Sequence, residues 1–128
     1  MPALRPALLP VLLALLLGAF LAQDAPRRIR FARGATSAVV EGAVVRGERA
    51  VYLARARAGQ RMNVRVTSPE DNAVFQLRGP GGVGTLPGAG ETDDATAWSG
   101  VLPRSGDYRI VVGGTRGNAG YTLRVEIR

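Results

Sequence analysis

One segment, residues 98–127, constrains the fold of this chain more than any other: WSGVLPRSGDYRIVVGGTRGNAGYTLRVEI. Between residues 121 and 128 apolar and polar side chains alternate without a break, and Tyr108, Ile110 and Val112 share one parity in the same way. A strand with one buried and one solvated face requires this period of two. Turn-forming residues separate the alternating stretches. The segment therefore predicts three strands joined by two tight turns, with Tyr108 and Tyr121 in the core.

The first 23 residues have the pattern of a cleavable signal peptide. Arg5 supplies a positive charge, and residues 7–22 are almost entirely apolar apart from Pro10. This run is short for a membrane span and is typical of a secretory leader. The pattern predicts a mature start between Gln23 and Pro26 and a single domain over residues 24–128. It also predicts a periplasmic or extracellular protein with no transmembrane anchor after the leader is removed.

The rest of the chain consists of short alternating stretches spaced about ten residues apart. They cover residues 27–33, 36–45, 49–57, 62–67 and 74–78. The parity of the third stretch places Tyr52 in the core, and Gly59 in the connection that follows predicts a hairpin with the fourth. Residues 68–72 and 79–94 are rich in Gly, Pro and acidic residues and are predicted loops. With no helical period after the leader, the pattern predicts an antiparallel β-sandwich of about seven or eight strands.

The composition excludes most catalytic chemistry. The chain has no Cys and no His, so it lacks disulfides, a thiol nucleophile, an imidazole base and soft metal ligands. Glu91, Asp93 and Asp94 are candidate calcium ligands, although their spacing matches no calcium-loop motif. The GPGGVG run at residues 79–84 is followed by no helix that could hold a phosphate. We therefore expect a protein that is not an enzyme and that has no cofactor and no metal ion.

Net charge leaves two interpretations open. All 17 basic residues are Arg, and without Arg5 the remaining 16 face 10 carboxylates, a formal charge of about +6. This charge is either a solvated cationic surface or a surface with affinity for anionic cell-envelope polymers or acidic partners. Nucleic acid is not an expected partner, because Arg28 and Arg30 alternate with core residues and no aromatic platform lies beside them.

Two residues carry alternative roles. Trp98, the single Trp, is either a packing residue of the sheet or an exposed ligand platform. Arg116 lies in the GGTRGNAG loop at residues 113–120, which has too many glycines to bury a side chain easily. Its guanidinium is either one more solvated charge or a projecting group suited to bidentate binding of a carboxylate.

Three segments together resemble the exported bacterial inhibitors of g-type lysozyme. They are IRFARGATSAVVEG (29–42), YLARARAGQRMNVRV (52–66) and LPRSGDYRIVVGGTRGNAGY (102–121). The resemblance implies a β-sandwich that inserts a loop into the active-site cleft of a lysozyme or other peptidoglycan-cleaving enzyme. It implies that Arg116 enters the cleft, with Thr115 and Asn118 beside it, and that Tyr52 contributes there.

Bacterial pre-peptidase C-terminal domains also share the A-G-Q and S-G-D-Y motifs of this chain, at residues 58–60 and 105–108. This second resemblance implies a module that binds a carbohydrate or an envelope polymer, such as an anionic polysaccharide, with Trp98 as a candidate contact.

Overall fold

The computed structural model describes residues 25–128, so the predicted leader at residues 1–23 lies outside the described part. Within it the chain forms nine strands and one turn of 3-10 helix at Gly81–Val83. The strands are β1 (Arg27–Arg28), β2 (Ser37–Val44), β3 (Arg49–Ala56), β4 (Arg61–Thr67), β5 (Ala73–Gly79), β6 (Gly84–Thr85), β7 (Ala97–Val101), β8 (Gly106–Gly114) and β9 (Ala119–Ile127).

The strands form two sheets that pack face to face. Sheet A has the order β1-β3-β8-β5-β6, and sheet B has the order β2-β9-β4-β7. All pairings are antiparallel except that of β1 with β3. The prediction of an antiparallel β-sandwich is therefore confirmed, with β6 as a strand that the sequence pattern did not indicate.

Alternation along the central strands builds the core. In β9 every second residue from Ala119 to Ile127 is buried, and β8 buries Tyr108, Ile110 and Val112. Their partner strands follow the same parity, so the inner faces of the two sheets meet in one apolar cluster. Tyr52 is 1% exposed, which confirms the parity that placed it inside.

The predicted hairpin between the third and fourth stretches is wrong. β3 pairs with β8 in sheet A, whereas β4 pairs with β7 and β9 in sheet B. The turn at residues 57–60 instead carries the chain from one sheet to the other. Gly59, with φ of +88°, donates from its nitrogen to the carbonyl oxygen of Leu102, and the nitrogen of Leu102 donates to Gln60. Period-two alternation reports which face of a strand is buried but not which strand lies beside it.

The predicted first strand, residues 27–33, is shorter than expected. Only Arg27 and Arg28 pair with β3, in parallel, and the nitrogen of Ile29 donates to the carbonyl oxygen of Leu53. The chain then leaves sheet A in order to enter sheet B as β2. Because that crossing needs the intervening residues, the strand cannot continue although its side chains alternate.

Residues 79–94, predicted to be irregular, close one edge of sheet A. Leu86 is 5% exposed and donates from its nitrogen to the carbonyl oxygen of Leu77. Leu77 in turn donates to Ala89, which is fully buried. These hydrogen bonds satisfy part of the free edge of β5, so the connection contributes to the core as well as linking strands.

Tyr108 fixes the entry into β8. Its hydroxyl donates to the carbonyl oxygen of Arg104 at 2.6 Å and accepts from the nitrogen of the same residue at 3.3 Å. This is the tyrosine-corner arrangement found in other sandwiches.

Residues 25–128 include no helix with the length and apolar character needed to span a membrane.

Candidate functional site

Several loops meet at one end of the sandwich, which we call the loop end: residues 45–48, 68–72, 90–94 and 115–118. The strand register brings them together, because Val44 at the end of β2 lies opposite Ala119, and Gly114 at the end of β8 lies opposite Ala73. The loop that contains Arg116 therefore has another loop on each side of it.

Asn72 holds these loops together. It is 2% exposed, and its side-chain nitrogen donates to the backbone carbonyl oxygens of Arg116 at 3.2 Å and Asn118 at 2.9 Å. Its own carbonyl oxygen accepts from the nitrogen of Thr115 at 2.9 Å. Three hydrogen bonds from one buried residue thus set the path of the Arg116 loop, and a buried amide is stable only with such partners.

Ser68 and Asp71 position Asn72. The Ser68 hydroxyl oxygen accepts from the backbone nitrogens of Asn72 at 2.9 Å and Ala73 at 3.2 Å. Asp71 has φ of 52°, in the left-handed region that Asp tolerates better than most side chains. The resulting tight turn directs the Asn72 side chain inward, toward the Arg116 loop.

On the other side the Arg116 loop is attached to the turn between β2 and β3. The side-chain oxygen of Asn118 accepts from the backbone nitrogen of Arg46 at 2.8 Å. Gly117 has φ of +60°, a conformation that glycine adopts without steric cost. The side chain of Asn118 therefore shapes the loop, and Thr115 and Arg116 are the exposed residues before the turn.

Arg116 is exposed and directed across the neighbouring loop. Its Nη2 donates to the carbonyl oxygen of Glu70 at 2.7 Å. A guanidinium has five N–H donors, so this contact orients the group and leaves donors for another acceptor. The structure therefore presents Arg116 as a pre-oriented cation at the loop end.

The charge around Arg116 is opposite in sign to the charge of the whole chain. Three arginines, Arg46, Arg49 and Arg116, lie in or beside the loop end. Six of the nine carboxylates of residues 25–128 lie in the same loops: Glu48, Glu70, Asp71, Glu91, Asp93 and Asp94. The loop end thus carries twice as many carboxylates as arginines, a distribution that net charge does not reveal.

A cavity of 340 Å³ opens beside the Arg116 loop. Residues of β3, β5 and β8 line it together with Glu48, Glu91, Asp94 and Thr115. Asp93 does not join them, because its carboxylate accepts from the nitrogen of Gly90 at 2.7 Å. Within residues 25–128 no three acidic side chains converge in a metal-binding cluster. The predicted calcium possibility at residues 91–94 therefore gains no support from the geometry.

Tyr52, implied by the resemblance as a partner contact, does not reach the loop surface. Its hydroxyl lies 2.6 Å from that of Tyr121, and the two rings meet edge to face with centroids 6.4 Å apart. Burial, and then the hydrogen bond to Tyr52, raise the pKa of Tyr121 well above its usual value. Because its side chain faces the opposite sheet, Tyr52 supports the fold and offers a partner no accessible surface in this structure.

Trp98 lies away from the Arg116 loop. It is paired with Val64 in β4, next to Val125 of β9, which is roughly 20 Å along that strand from Ala119 at the usual strand rise. The ring is half-buried against the core, and its Nε1 donates to the carbonyl oxygen of Pro87 at 2.8 Å. Trp98 thus joins the edge of sheet B to the connection that closes sheet A.

Sequence reasoning missed Asn72 and the acidic surroundings of Arg116. The signal for Asn72 was weak: an Asn that ends a Ser-Pro-Glu-Asp-Asn run and precedes an apolar strand. Such a residue often bonds nearby backbone in its own turn. Here its partners lie more than forty positions away, so local pattern could not identify them.

Solved structures resemble this chain over most of its length. PliG of Aeromonas hydrophila, a periplasmic lysozyme inhibitor of g-type lysozyme, matches with a TM-score of 0.69 and 31% identity over 83% of this chain and 98% of its own. PliG of Salmonella Typhimurium, another such inhibitor, matches with a TM-score of 0.64 and 24% identity over 82% and 99%. The pre-peptidase C-terminal domain of a Bacillus anthracis collagenase shares the fold, with a TM-score of 0.58 and 15% identity over 80% and 96%.

The protein is thus a two-sheet β-sandwich in which hydrogen bonds from Asn72 and to Asn118 hold together the loops at one end. The chain belongs to the family of periplasmic inhibitors of g-type lysozyme, since it is 31% identical to the Aeromonas inhibitor along 98% of that protein. The resemblance inferred from three sequence segments is thereby confirmed. No family profile and no curated protein sequence matches the chain, so this assignment rests on the solved structures.

Proposed function

We propose that this protein is exported, with residues 1–23 as its cleaved signal peptide, and inhibits a lysozyme in the periplasm or outside the cell. It performs no catalysis of its own. Inhibition occurs by occlusion: the loop end enters the active-site cleft of the lysozyme and blocks access of the glycan. The similar inhibitors of g-type lysozyme from two bacteria support this function.

The observation that carries the proposal is the presentation of Arg116. Glycosidases, lysozymes among them, act through paired carboxyl groups in a cleft. A guanidinium that enters such a cleft pairs with a carboxylate through charge-assisted hydrogen bonds and displaces the substrate. Since Asn72 and Glu70 already hold the loop and the guanidinium, little conformational entropy remains to be lost on binding.

Thr115 and Asn118 have different parts in this proposal. Thr115 is exposed beside the cavity and supplies a hydroxyl to the rim of the contact. The side chain of Asn118 already accepts from Arg46, so it acts by holding the loop rather than by direct recognition. Trp98 and Tyr52 act through the scaffold.

The local charge of the loop end favours a basic partner. The six carboxylates around Arg116 give this end a field opposite to that of the whole chain. Complementary local potentials raise association rates even between proteins of like net charge. A lysozyme with a basic rim around a carboxylate-bearing cleft is therefore the partner that this end fits.

Inhibition of a g-type lysozyme, measured as the rate of cell-wall lysis, tests the proposal. Loss of a charged hydrogen-bonded pair in a contact costs about 2–5 kcal/mol. Arg116→Ala should therefore weaken inhibition by about thirtyfold or more. Arg124→Ala is the matched control, because Arg124 is an exposed arginine on the outer face of β9.

The control should inhibit like the wild type. Absence of inhibition by micromolar wild-type protein would refute the function. Equal inhibition by wild type and Arg116→Ala would leave the function standing and refute this mechanism.

A second function, binding of an anionic envelope polymer, is favoured by one observation. Outside the loop end, residues 25–128 contain thirteen of the sixteen arginines but only three acidic side chains, Glu41, Asp107 and Glu126. A surface so rich in cations attracts polyanions.

A further inference from the structure

Positive charge is concentrated on the outer face of sheet A, the side opposite the core. By strand parity this face carries one carboxylate, Asp107, and five arginines. The arginines are Arg28, Arg49, Arg55, Arg78 and Arg109. The arginines of such a surface repel one another, and solvent ions or a ligand have to balance their charge.

Two of these arginines lie directly opposite each other. Arg78 of β5 and Arg109 of β8 are register partners, so their Cβ atoms lie about 5 Å apart on the same face. Like charges directly opposite in adjacent strands are destabilising. Neither arginine makes a salt bridge within residues 25–128. The pair therefore lowers the stability of the fold, and no carboxylate in the described chain forms a salt bridge that would offset this.

The other charges of this face do not neutralise the pair. The two carboxylate oxygens of Asp107 accept from Nη1 and Nη2 of Arg28, each at 2.9 Å, and this bidentate contact lowers the pKa of the carboxyl group. Arg49 has Glu91 at 4.0 Å, a long contact between two exposed groups. The single carboxylate of the face is therefore already engaged.

Arg49, Arg78 and Arg109 border a groove of 630 Å³, which we call the arginine groove, with Leu53, Gln76 and Val111 on its floor. Asp107 also lines it, but its carboxylate is paired with Arg28. We propose that the arginine groove binds a linear anionic polysaccharide, an inference that rests on the second function proposed above and assigns it a site. Repeated charges along such a polymer would pair with Arg78 and Arg109, on adjacent strands about 4.8 Å apart, and with Arg49, which lies four residues along β3 from the position opposite Arg109. The half-buried floor residues would contact the sugar rings between those charges.

The chemistry of the groove selects this class of ligand over other polyanions. Single-stranded nucleic acid needs aromatic side chains on which bases stack, and the aromatic residues of β3, β5 and β8, namely Tyr52, Phe75 and Tyr108, all point into the core. Anchoring in a lipid surface needs protruding apolar residues. Among residues 25–128 the large exposed hydrophobic residues are Val39, Val45 and Val101, which lie in or next to strands of sheet B.

Sheet B offers a matched comparison. Its outer face also has a register pair of arginines, Arg65 and Arg124, beside a smaller groove of 320 Å³. That groove contains Glu126, which accepts from Asn63 and pairs with Arg128. Both grooves thus hold a carboxylate and an amide, and the arginine groove has three arginines where this one has two. A double substitution on each face removes the same charge, so the two variants separate a specific groove from diffuse cationic attraction.

The experiment measures binding of the purified protein to immobilised polygalacturonate, with neutral dextran as the reference polymer and phosphatidylglycerol vesicles as a lipid arm. The proteins are wild type, R78Q/R109Q, R78K/R109K and R65Q/R124Q. Binding is compared at about 0.01 M and about 1 M salt, where the screening lengths are about 30 Å and 3 Å. Thermal melting confirms that each variant is folded.

Wild type should bind polygalacturonate and not dextran, and binding should vanish at high salt. R78Q/R109Q should weaken the low-salt affinity by about tenfold or more, whereas R65Q/R124Q should change it by less than about threefold. R78K/R109K, which keeps both charges, should retain most of the affinity.

Equal losses in both glutamine variants, binding to vesicles but not to the polymer, or no binding at low salt would each overturn the proposal. Lysozyme inhibition by the same proteins keeps this result separate from the function proposed above. R78Q/R109Q should inhibit like the wild type, and Arg116→Ala should bind the polymer like the wild type.

Discussion

The side-chain nitrogen of Asn72 donates to the carbonyl oxygen of Asn118 at 2.9 Å, which joins the loop after β4 to the loop before β9. The same nitrogen reaches the carbonyl oxygen of Arg116. The conformation of the proposed inhibitory loop therefore depends on a buried residue outside it. An arginine on a braced loop binds with a smaller entropic cost than the same arginine on a mobile one.

Asn72→Ala should destabilise the protein by about 1–3 kcal/mol, because it leaves two loop carbonyl groups without their donor in a partly buried site. It should also weaken lysozyme inhibition although Arg116 is intact. Urea unfolding and the lysis assay measure the two effects. Asn63→Ala is the control, since Asn63 donates to Glu126 on the outer face of sheet B. Unchanged inhibition by folded Asn72→Ala would show that the loop does not need this brace.

The hydroxyl groups of Tyr52 and Tyr121 should be energetically coupled. Each single change to Phe leaves the other hydroxyl buried without its partner and should cost about 1–3 kcal/mol. The double variant Tyr52→Phe with Tyr121→Phe removes both hydroxyl groups, so neither is left buried without a partner. It should therefore cost less than the sum of the two single changes. Denaturant unfolding of all four proteins measures the coupling energy. Additive costs would mean that the 2.6 Å contact contributes nothing.

Stability should fall at alkaline pH through Tyr121. Its pKa is raised in the folded protein, so the unfolded chain loses this proton first, near pH 10. The stabilisation is complete below about pH 10 and decreases as the pH rises above that value. Tyr121→Phe should unfold with a shallower alkaline slope than the wild type. Unfolding free energies between about pH 8 and pH 11 measure it, and identical slopes would contradict the assignment.

Gly42 should not tolerate a side chain. A Cβ at this position would lie 2.5 Å from the hydroxyl oxygen of Tyr121 and 2.7 Å from its ring carbon Cζ. Gly42→Ala should therefore destabilise the fold by about 1–3 kcal/mol through overpacking. Gly120→Ala is the control in the adjacent strand, because a Cβ there meets no atom within 4 Å. Equal melting temperatures for the two variants would disprove close packing at Gly42.

Trp98 should affect stability and leave inhibition unchanged. Trp98→Phe removes the hydrogen bond to Pro87 and should cost about 0.5–1.5 kcal/mol, while the ring still covers the edge of the core. Inhibition measured well below the melting temperature should equal that of the wild type. A loss of inhibition comparable to that of Arg116→Ala would instead place Trp98 in the partner contact.

Alternation of apolar and polar residues within short stretches predicted the strands and their buried faces. Alternation in β8 and β9 identified the strands and the buried side of Tyr108 and Tyr121, because side-chain direction in a strand depends on parity alone. The same rule placed Tyr52 in the core. It could not exclude the hairpin between β3 and β4, since pairing depends on which distant strand offers a complementary edge.

The candidate site divided in the same way. Arg116 could be singled out from sequence because a glycine-rich turn cannot readily bury a guanidinium, and the structure leaves it exposed. Three other features could not be predicted from sequence, because each joins residues far apart in the chain. They are the hydrogen bonds from Asn72, the carboxylates in the loops around Arg116, and the facing arginines of β5 and β8.

The sequence by itself thus determined the class of fold and the buried face of most strands, and it indicated the family that the solved structures then established. Tertiary structure alone decided which strands are neighbours, which loops meet and how charge is distributed over the surface. The physical reason is that parity and turn propensity act over a few residues. Contacts between distant residues exist only once two sheets have packed around a shared core.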